Sequence, residues 1–451
     1  MTAAPPSVDA PRPDSSRPEP PRTRPLAAAA LVATSLLVLG VALELAFVPL
    51  LHYLPRKLHV YLDPALRPLA QSSKRATLPR DYVALVGDSN AQGRGDWLLE
   101  SDANGNGPYA SAHVLHERSG RDVISWGRGG AGFVSGWVAF PELSWRALQS
   151  SRRTAIAPPD LLIAYFYEGN DLEDTQLELV MLAVLDDPEL PRDTDPNEVL
   201  KRMGLAESRA RMLRDEGLRD PQHFDALVES RFLPQLESKI GAPAPGWRPA
   251  LYFPRFIGAL LAGEFERLRG HAPTWDWEGR GYFGKNHVRL GDRVVEVPGS
   301  LQSPGMELTP DEIELSLHTG DLALGMLASA FPDSALCLLR VPSPATLYEF
   351  DEAQVSVQGL RNTPGAPGAE IRARSDELGQ RAQELALRHG ARFVDALPPL
   401  REAAQRELVH GPRDWRHLNR LGQTVLGETA QACLAAPAPA RTRDAAADRA
   451  P

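Results

Sequence analysis

Four short polar blocks could together perform acyl transfer. They are Gly87-Asp88-Ser89-Asn90, Gly127-Arg128-Gly129-Gly130-Ala131-Gly132, Glu168-Gly169-Asn170-Asp171 and Asp414-Trp415-Arg416-His417. A neutral serine is a poor nucleophile and needs an adjacent base; imidazole titrates in the right range. The base needs an acceptor on its other nitrogen to hold it in place. The oxyanion of a tetrahedral intermediate needs fixed donors. Ser89 is therefore the candidate nucleophile, His417 the base and Asp414 its orienter. The candidate oxyanion donors are the Ser89 N–H, the Gly130 N–H and the Asn170 side-chain amide. Gly127 and Gly129 compete with Gly130, which is favoured by its offset from the preceding strand.

Each block alone has a blander reading. Gly, Asp, Ser and Asn all form turns. Asn170 and Asp171 could cap a turn, and Asp414 could pair with Arg413 or Arg416 on a solvated loop. The glycine run could suggest a dinucleotide loop, but its spacing and the lack of a placed acidic ribose partner argue against that. No zinc-like clustering of His, Cys and carboxylates appears, so neither metal nor cofactor is expected.

What joins the blocks is their position after apolar runs. Tyr82–Val86 reads Tyr-Val-Ala-Leu-Val, a strand buried on both faces. Further strands are expected at 122–126, 160–167, 334–341 and 392–395. Helical patterns lie between most of them, notably 108–119 and 371–389. Alternating strands and helices imply a doubly wound parallel sheet. The C-terminal ends of parallel strands share one edge, where open α/β folds bind ligands. His417 sits just before Asn419, which can cap a helix with an apolar face from Val425 to Leu434.

The blocks resemble those of the SGNH, or GDSL-like, hydrolase superfamily: Gly-Asp-Ser, a Gly-containing loop, Gly-x-Asn-Asp and Asp-x-x-His. The resemblance covers residues 81–175 and about 333–434. It implies a flavodoxin-like, three-layer α/β/α fold on a five-stranded parallel sheet. It also implies a serine esterase with a Ser89–His417–Asp414 triad. Glu168 departs from it, standing where the family has Gly. So does the loop after Ser89, with Gly93, Gly95 and Asn104 to Gly107, where the family starts a helix. Trp97 in that loop is a candidate substrate contact.

Between the third and fourth strands the chain runs far beyond a simple crossover. A large, mostly helical insertion, about 172–310, is expected there. It includes an amphipathic helix at 251–269 and a hairpin at 288–297 turning at Gly291-Asp292. Thr309-Pro310-Asp311-Glu312 fits a capping box with Pro at the first helical position. The hydrolase-like domain is expected over 81–436.

The termini add a location. Residues 1–24 and 437–451 have a disordered composition. Residues 25–51 are almost wholly apolar, with Glu44 the lone charge, and are long enough to span a bilayer. Their length and the lack of a cleavage site favour an uncleaved anchor. Arg12, Arg17, Arg22 and Arg24 precede the span; Arg56 and Lys57 follow it. That excess places the N-terminus in the cytoplasm and the domain in a periplasm or its equivalent. Residues 52–80 read as a proline-containing linker. The net charge of -9 and the lack of a basic aromatic patch argue against a nucleic-acid partner. Cys337 and Cys433, too few for a disulfide framework, are expected to be buried free thiols.

The expected function is a membrane-anchored, extracytoplasmic esterase acting on an ester-containing small molecule or glycan. An O-acetyl group on a carbohydrate or envelope polymer is one such ester. A polysaccharide O-acetyltransferase with the same triad is the alternative of like chemistry. A non-catalytic envelope binding or scaffold protein is the alternative of another class.

Overall fold

A computed structural model describes residues 25–95, 109–187, 189, 191, 196–240, 251–269, 284–358 and 365–435. The Trp97 and Asn104 to Gly107 readings lie outside the described residues. The chain divides into two compact units, Met1–Phe47 and Val48–Pro451. The first contains most of an apolar helix, α1 (Pro25–Leu50). The stretch Ala27–Tyr53, of mean hydropathy 2.4, is long and apolar enough to cross a membrane.

The second unit is built on five parallel strands: β1 (Tyr82–Val86), β2 (Asp122–Ser125), β3 (Leu161–Tyr167), β6 (Ala335–Val341) and β7 (Arg392–Asp395). Their spatial order is β2-β1-β3-β6-β7, the flavodoxin-like order, and every pairing is parallel. All residues of β1, β2 and β3 are buried, which is why β1 and β3 are continuous apolar runs rather than alternations, while β2 carries buried Asp122 and Ser125 at its ends. The order reverses between β1 and β3, opening a crevice beyond their C-terminal ends. Ser89 and Asn170 follow those two strands.

The helices α2 (Ser111–Ser119) and α3 (Phe140–Gln149) connect the first three strands. After β3 the insertion opens with α4 (Asp171–Leu185) and continues through shorter helices between Pro196 and Ile240. It then forms α5 (Tyr252–Leu268) and a hairpin of β4 (Lys285–Leu290) and β5 (Arg293–Pro298). Gly291 adopts φ +58° at the hairpin turn, a conformation glycine reaches without Cβ strain. The chain returns through α6 (Pro310–Ala330), whose capping box pairs Thr309 with Glu312. Helix α7 (Gly368–Arg388) joins β6 to β7, and α8 (Arg420–Ala430) closes the domain.

Residues 52–80, read as a linker, carry contacts of their own. The Val123 N–H donates to the Ser73 carbonyl at 2.8 Å, and Gln71 bonds both Ser125 N and Ser125 O at 2.8 Å. This segment therefore occupies the outer edge of β2 and satisfies backbone groups that an edge strand would expose.

The expectation of free thiols is corrected. Cys337 on β6 and Cys433 just past α8 form a disulfide with Cα atoms 5.8 Å apart. Both are buried, as expected, but their 96-residue separation hid their proximity. Helix α8 folds back beside the sheet and brings the two sulfurs together.

Candidate active site

The turn after β1 is forced by close packing. Gly87 has φ +139°, and a Cβ there would lie 3.1 Å from the Tyr165 Cβ. The next residues curl into a turn: Gln92 N–H donates to Asp88 O, Gly93 to Asn90 O and Arg94 to Ser89 O, all at 3.0 Å. The buried Asp88 carboxylate holds that turn from inside, accepting the Asn90 N–H at 2.8 Å and the Asn90 Nδ2 at 3.2 Å. Burial pushes its carboxyl above the usual range, against these hydrogen bonds and the nearby His417. Ser89 is thus presented on a rigid corner.

The opposite wall is the loop between β7 and α8. Tyr348 Oη accepts the Val409 and His410 N–H groups at 3.0 and 3.1 Å. Asn419 Nδ2 donates to Leu408 O at 2.8 Å, while its Oδ1 caps α8 by accepting the Gly422 N–H at 3.1 Å. Trp415 packs where a Cβ on Gly411 would stand, 2.6 Å from the indole ring. The loop thus has its backbone fixed on both sides of His417.

Three side chains from these two elements form one hydrogen-bonded chain. His417 Nε2 lies 2.8 Å from Ser89 Oγ, and His417 Nδ1 lies 2.6 Å from Asp414 Oδ2. Asp414 Oδ1 also accepts the Arg416 N–H at 3.0 Å. Burial works to raise the Asp414 carboxyl, but the imidazole and the Arg416 N–H outweigh it and hold it below the carboxylate range. An ionised Asp414 requires hydrogen on Nδ1, which leaves Nε2 as the acceptor facing the serine hydroxyl.

The glycine loop after β2 has one uncommitted donor among its three candidates. Gly127 N–H donates to Ser125 Oγ at 3.3 Å and Gly129 N–H to Gln92 Oε1 at 3.0 Å. Among the described residues the Gly130 and Ser89 N–H groups have no partner. Gly130 has φ +71° and open space around its Cα, so its N–H is accessible to an incoming oxygen.

Asn170 opens α4, and its Nδ2 donates to Asp174 Oδ2 at 2.8 Å. An acceptor there dictates that the amide nitrogen faces α4, leaving its second hydrogen unassigned. Neither Asn170 nor Gly130 is hydrogen-bonded to Ser89. Asp171 turns inward, accepting the Tyr167 N–H at 2.8 Å. Burial, and then Asp88, push its carboxyl well above the usual range.

Several supporting residues escaped the sequence reading. Glu178 accepts the N–H groups of Gly132, Val134 and Ser135 at 2.8, 2.9 and 3.2 Å, and also the Ser135 hydroxyl. It anchors the C-terminal part of the glycine loop, and burial pushes its carboxyl up to about 7. Asp174, which orients Asn170, is likewise raised to about 7 by burial and then by Asp88 and Glu178. Their spacing, four apart on α4 downstream of the Asn170 block, was the available signal. Arg94 was also missed; burial lowers its guanidinium while Asp414 and Asp88 oppose that shift. No group of three or more potential metal ligands occurs among the described residues.

Glu168, the departure from the family pattern, turns away from this site. Its Oε2 accepts Arg340 Nη2 at 2.9 Å and Ser375 Oγ at 2.8 Å; its Oε1 accepts Ser343 N at 2.9 Å. It serves the β3–β6 junction.

No family model matches the chain, and no curated protein matches it. Among solved structures it is similar to an extracellular lipase from Streptomyces rimosus, at 13% identity and a TM-score of 0.32, over 79% of this chain and 100% of that one. It is also similar to phospholipase A1 from Streptomyces albidoflavus NA297, at 15% identity and a TM-score of 0.31, over 78% of this chain and 99% of that one. At that distance neither likeness carries an argument, and the site rests on its own geometry.

Proposed function

We propose that this chain is a serine esterase of the SGNH, or GDSL-like, hydrolase type. The observation that carries the reading is the unbroken chain from Ser89 Oγ through His417 to Asp414, at 2.8 and 2.6 Å. In this mechanism Ser89 Oγ attacks the ester carbonyl carbon while its proton passes to His417 Nε2. The Ser89 and Gly130 N–H groups and the free amide hydrogen of Asn170 receive the oxyanion. Collapse expels the alcohol, which takes the proton from Nε2 and leaves an acyl-Ser89. Water then gives its proton to His417, attacks the acyl carbon and releases the acid, and the proton returns to Ser89.

The proposed setting is extracytoplasmic, with α1 as an uncleaved anchor. The Cys337–Cys433 bond supports it, since such bonds persist in oxidising compartments. The arginine excess before the span supports the orientation. The proposed substrate is an O-acetyl ester on a carbohydrate or envelope polymer.

The test is turnover of a small activated acetyl ester by the full chain beside Ser89→Ala. We expect loss of activity by a factor on the order of 10³ or more in the variant, with unchanged thermal unfolding. Equal turnover by both proteins would refute the reading. Supplying a sugar acceptor in the same assay distinguishes hydrolysis from transfer by the product formed.

A further inference from the structure

Helix α5 of the insertion carries two faces of opposite character. Tyr252 and Phe256 are buried, with Ile257 and Leu260 half-buried beside them. On the other side, Leu251, Pro254, Gly258, Leu261, Phe265 and Leu268 are all exposed. Their spacing alternates three and four, so they make one continuous apolar stripe. The large members are 49% (Leu251), 65% (Leu261), 53% (Phe265) and 80% (Leu268) exposed. Single exposed leucines need no explanation, but an ordered stripe does.

The packed face shows where this helix sits. It docks on the segment that leaves the apolar span. A Cβ on Gly263 would stand 2.4 Å from Tyr61 Cε1, so only glycine allows the approach. Tyr61 Oη donates to Glu264 at 3.1 Å, and Arg255 pairs with Asp63 at 3.8 Å. The candidate span ends at Tyr53, and Arg56–Tyr61 is a 3₁₀ helix. From Tyr53 to Tyr61 the chain can reach no more than about 20 Å. The stripe is thus tethered within a short distance of the bilayer in which the span would end.

We propose that α5 is a membrane-surface helix, with its apolar stripe lying in the interface of the bilayer that anchors the chain. The inference rests on the uncleaved-anchor reading and is independent of the esterase chemistry. The occupant is lipid because the segment on which α5 docks, Arg56–Tyr61, follows directly along the chain from the end of the candidate span at Tyr53. Interfacial helices bury their apolar face about 5–10 Å into the headgroup and acyl boundary.

The native cysteines are paired, so one introduced cysteine takes a thiol-reactive fluorophore selectively. The full chain is reconstituted in phosphatidylethanolamine–phosphatidylglycerol vesicles containing shallow spin-labelled lipid. Labels at Leu261→Cys and Phe265→Cys should be quenched roughly twofold or more by the shallow label, and Val38→Cys, near the middle of the span, by a mid-chain spin-labelled lipid in a parallel sample. A label at Arg267→Cys, about 200° round the helix from Phe265, should be little affected. Quenching at Val38 without quenching at Leu261 or Phe265 overturns the proposal and leaves the anchor standing. No quenching at Val38 overturns both. Unquenched stripe labels, with disulfide cross-links between chains in the unlabelled Leu261→Cys or Phe265→Cys protein under oxidation, assign the stripe to a second copy and also overturn it. Ester turnover by the same vesicles reports the catalytic reading separately.

Discussion

Two polar networks lie at the C-terminal edge of the same sheet and are organised in opposite ways. At the ends of β3 and β6, Glu168 and Arg340 pair at 2.9 Å with side chains 0% and 3% exposed. All acceptor directions of Glu168 are engaged: Arg340, Ser375 Oγ, Ser343 N and Ser343 Oγ all donate to it. Arg340 Nη1 reaches Asp395 on β7 at 3.0 Å, so the cluster ties three adjacent strands, with the Arg340 Nε the one unpartnered member. At the ends of β1 and β3, by contrast, the Ser89–His417–Asp414 chain is flanked by two donors without a partner among the described residues, Ser89 N–H and Gly130 N–H. The first network is nearly saturated and can only hold. The second keeps donors open, where a substrate oxygen could be received. The same edge thus serves as a clamp at one point and, in the proposed reading, as a reaction site at another.

The sharpest way to break this comparison is Asp414→Asn. The change preserves shape but offers His417 a donor where an acceptor belongs, so the wrong imidazole tautomer would face Ser89. Ester turnover should fall by a factor on the order of 10³–10⁴, with unfolding shifted by under about 1 kcal/mol. Normal turnover would mean that the Ser89 chain is as inert as the Glu168 cluster.

Arg340→Met should do the reverse. It leaves the Glu168 carboxylate buried with its strongest donor gone, which costs about 3–5 kcal/mol of stability. Glu168→Gln added to Arg340→Met should recover much of that loss, because no unpaired charge remains. Turnover per folded molecule should change little in either variant. Urea unfolding with parallel activity assays checks this; a larger effect on turnover than on stability would merge the two networks into one.

The difference between the networks was partly legible in the sequence. Strands β1, β3 and β6 were readable because two-sided burial writes itself as apolar runs, and Ser89, Gly130 and Asn170 stood out as polar interruptions just past strands, with Asp414 and His417 well beyond β7 and just before α8. The Glu168 cluster was not readable. Its departure from the family pattern was visible, but Arg340 lies 172 residues away, and only the β3–β6 register places it opposite. The Cys337–Cys433 bond was hidden for the same reason. Distant partners leave no local spacing, whereas Asp174 and Glu178 did leave one, four apart on α4.

Asp174 gives the smallest expected effect and the finest comparison, because it belongs to the open network yet resembles the closed one in holding a neighbour. Its carboxyl, partly exposed, is raised to about 7 by burial and by the like charges of Asp88 and Glu178. An unfolded Asp titrates near 3.9. The folded state therefore holds this proton more tightly, and its contribution to stability is complete below about pH 4 and lost as pH rises through about 7. Asp174→Asn retains an oxygen to accept the Asn170 amide but removes the titration. Wild-type unfolding free energy should fall more steeply than the variant's between about pH 4 and 8, by on the order of 1–2 kcal/mol after allowance for solvent. Turnover at pH 8 should stay within a few-fold, because Asn170 keeps its orientation. Asp174→Leu should instead lower kcat at little change in KM, since it frees the amide to rotate away from the proposed oxyanion position. Equal pH slopes in wild type and Asp174→Asn would show that Asp174 titrates as a solvated carboxylate, and would move it from the network around Asn170 to the water in front of it.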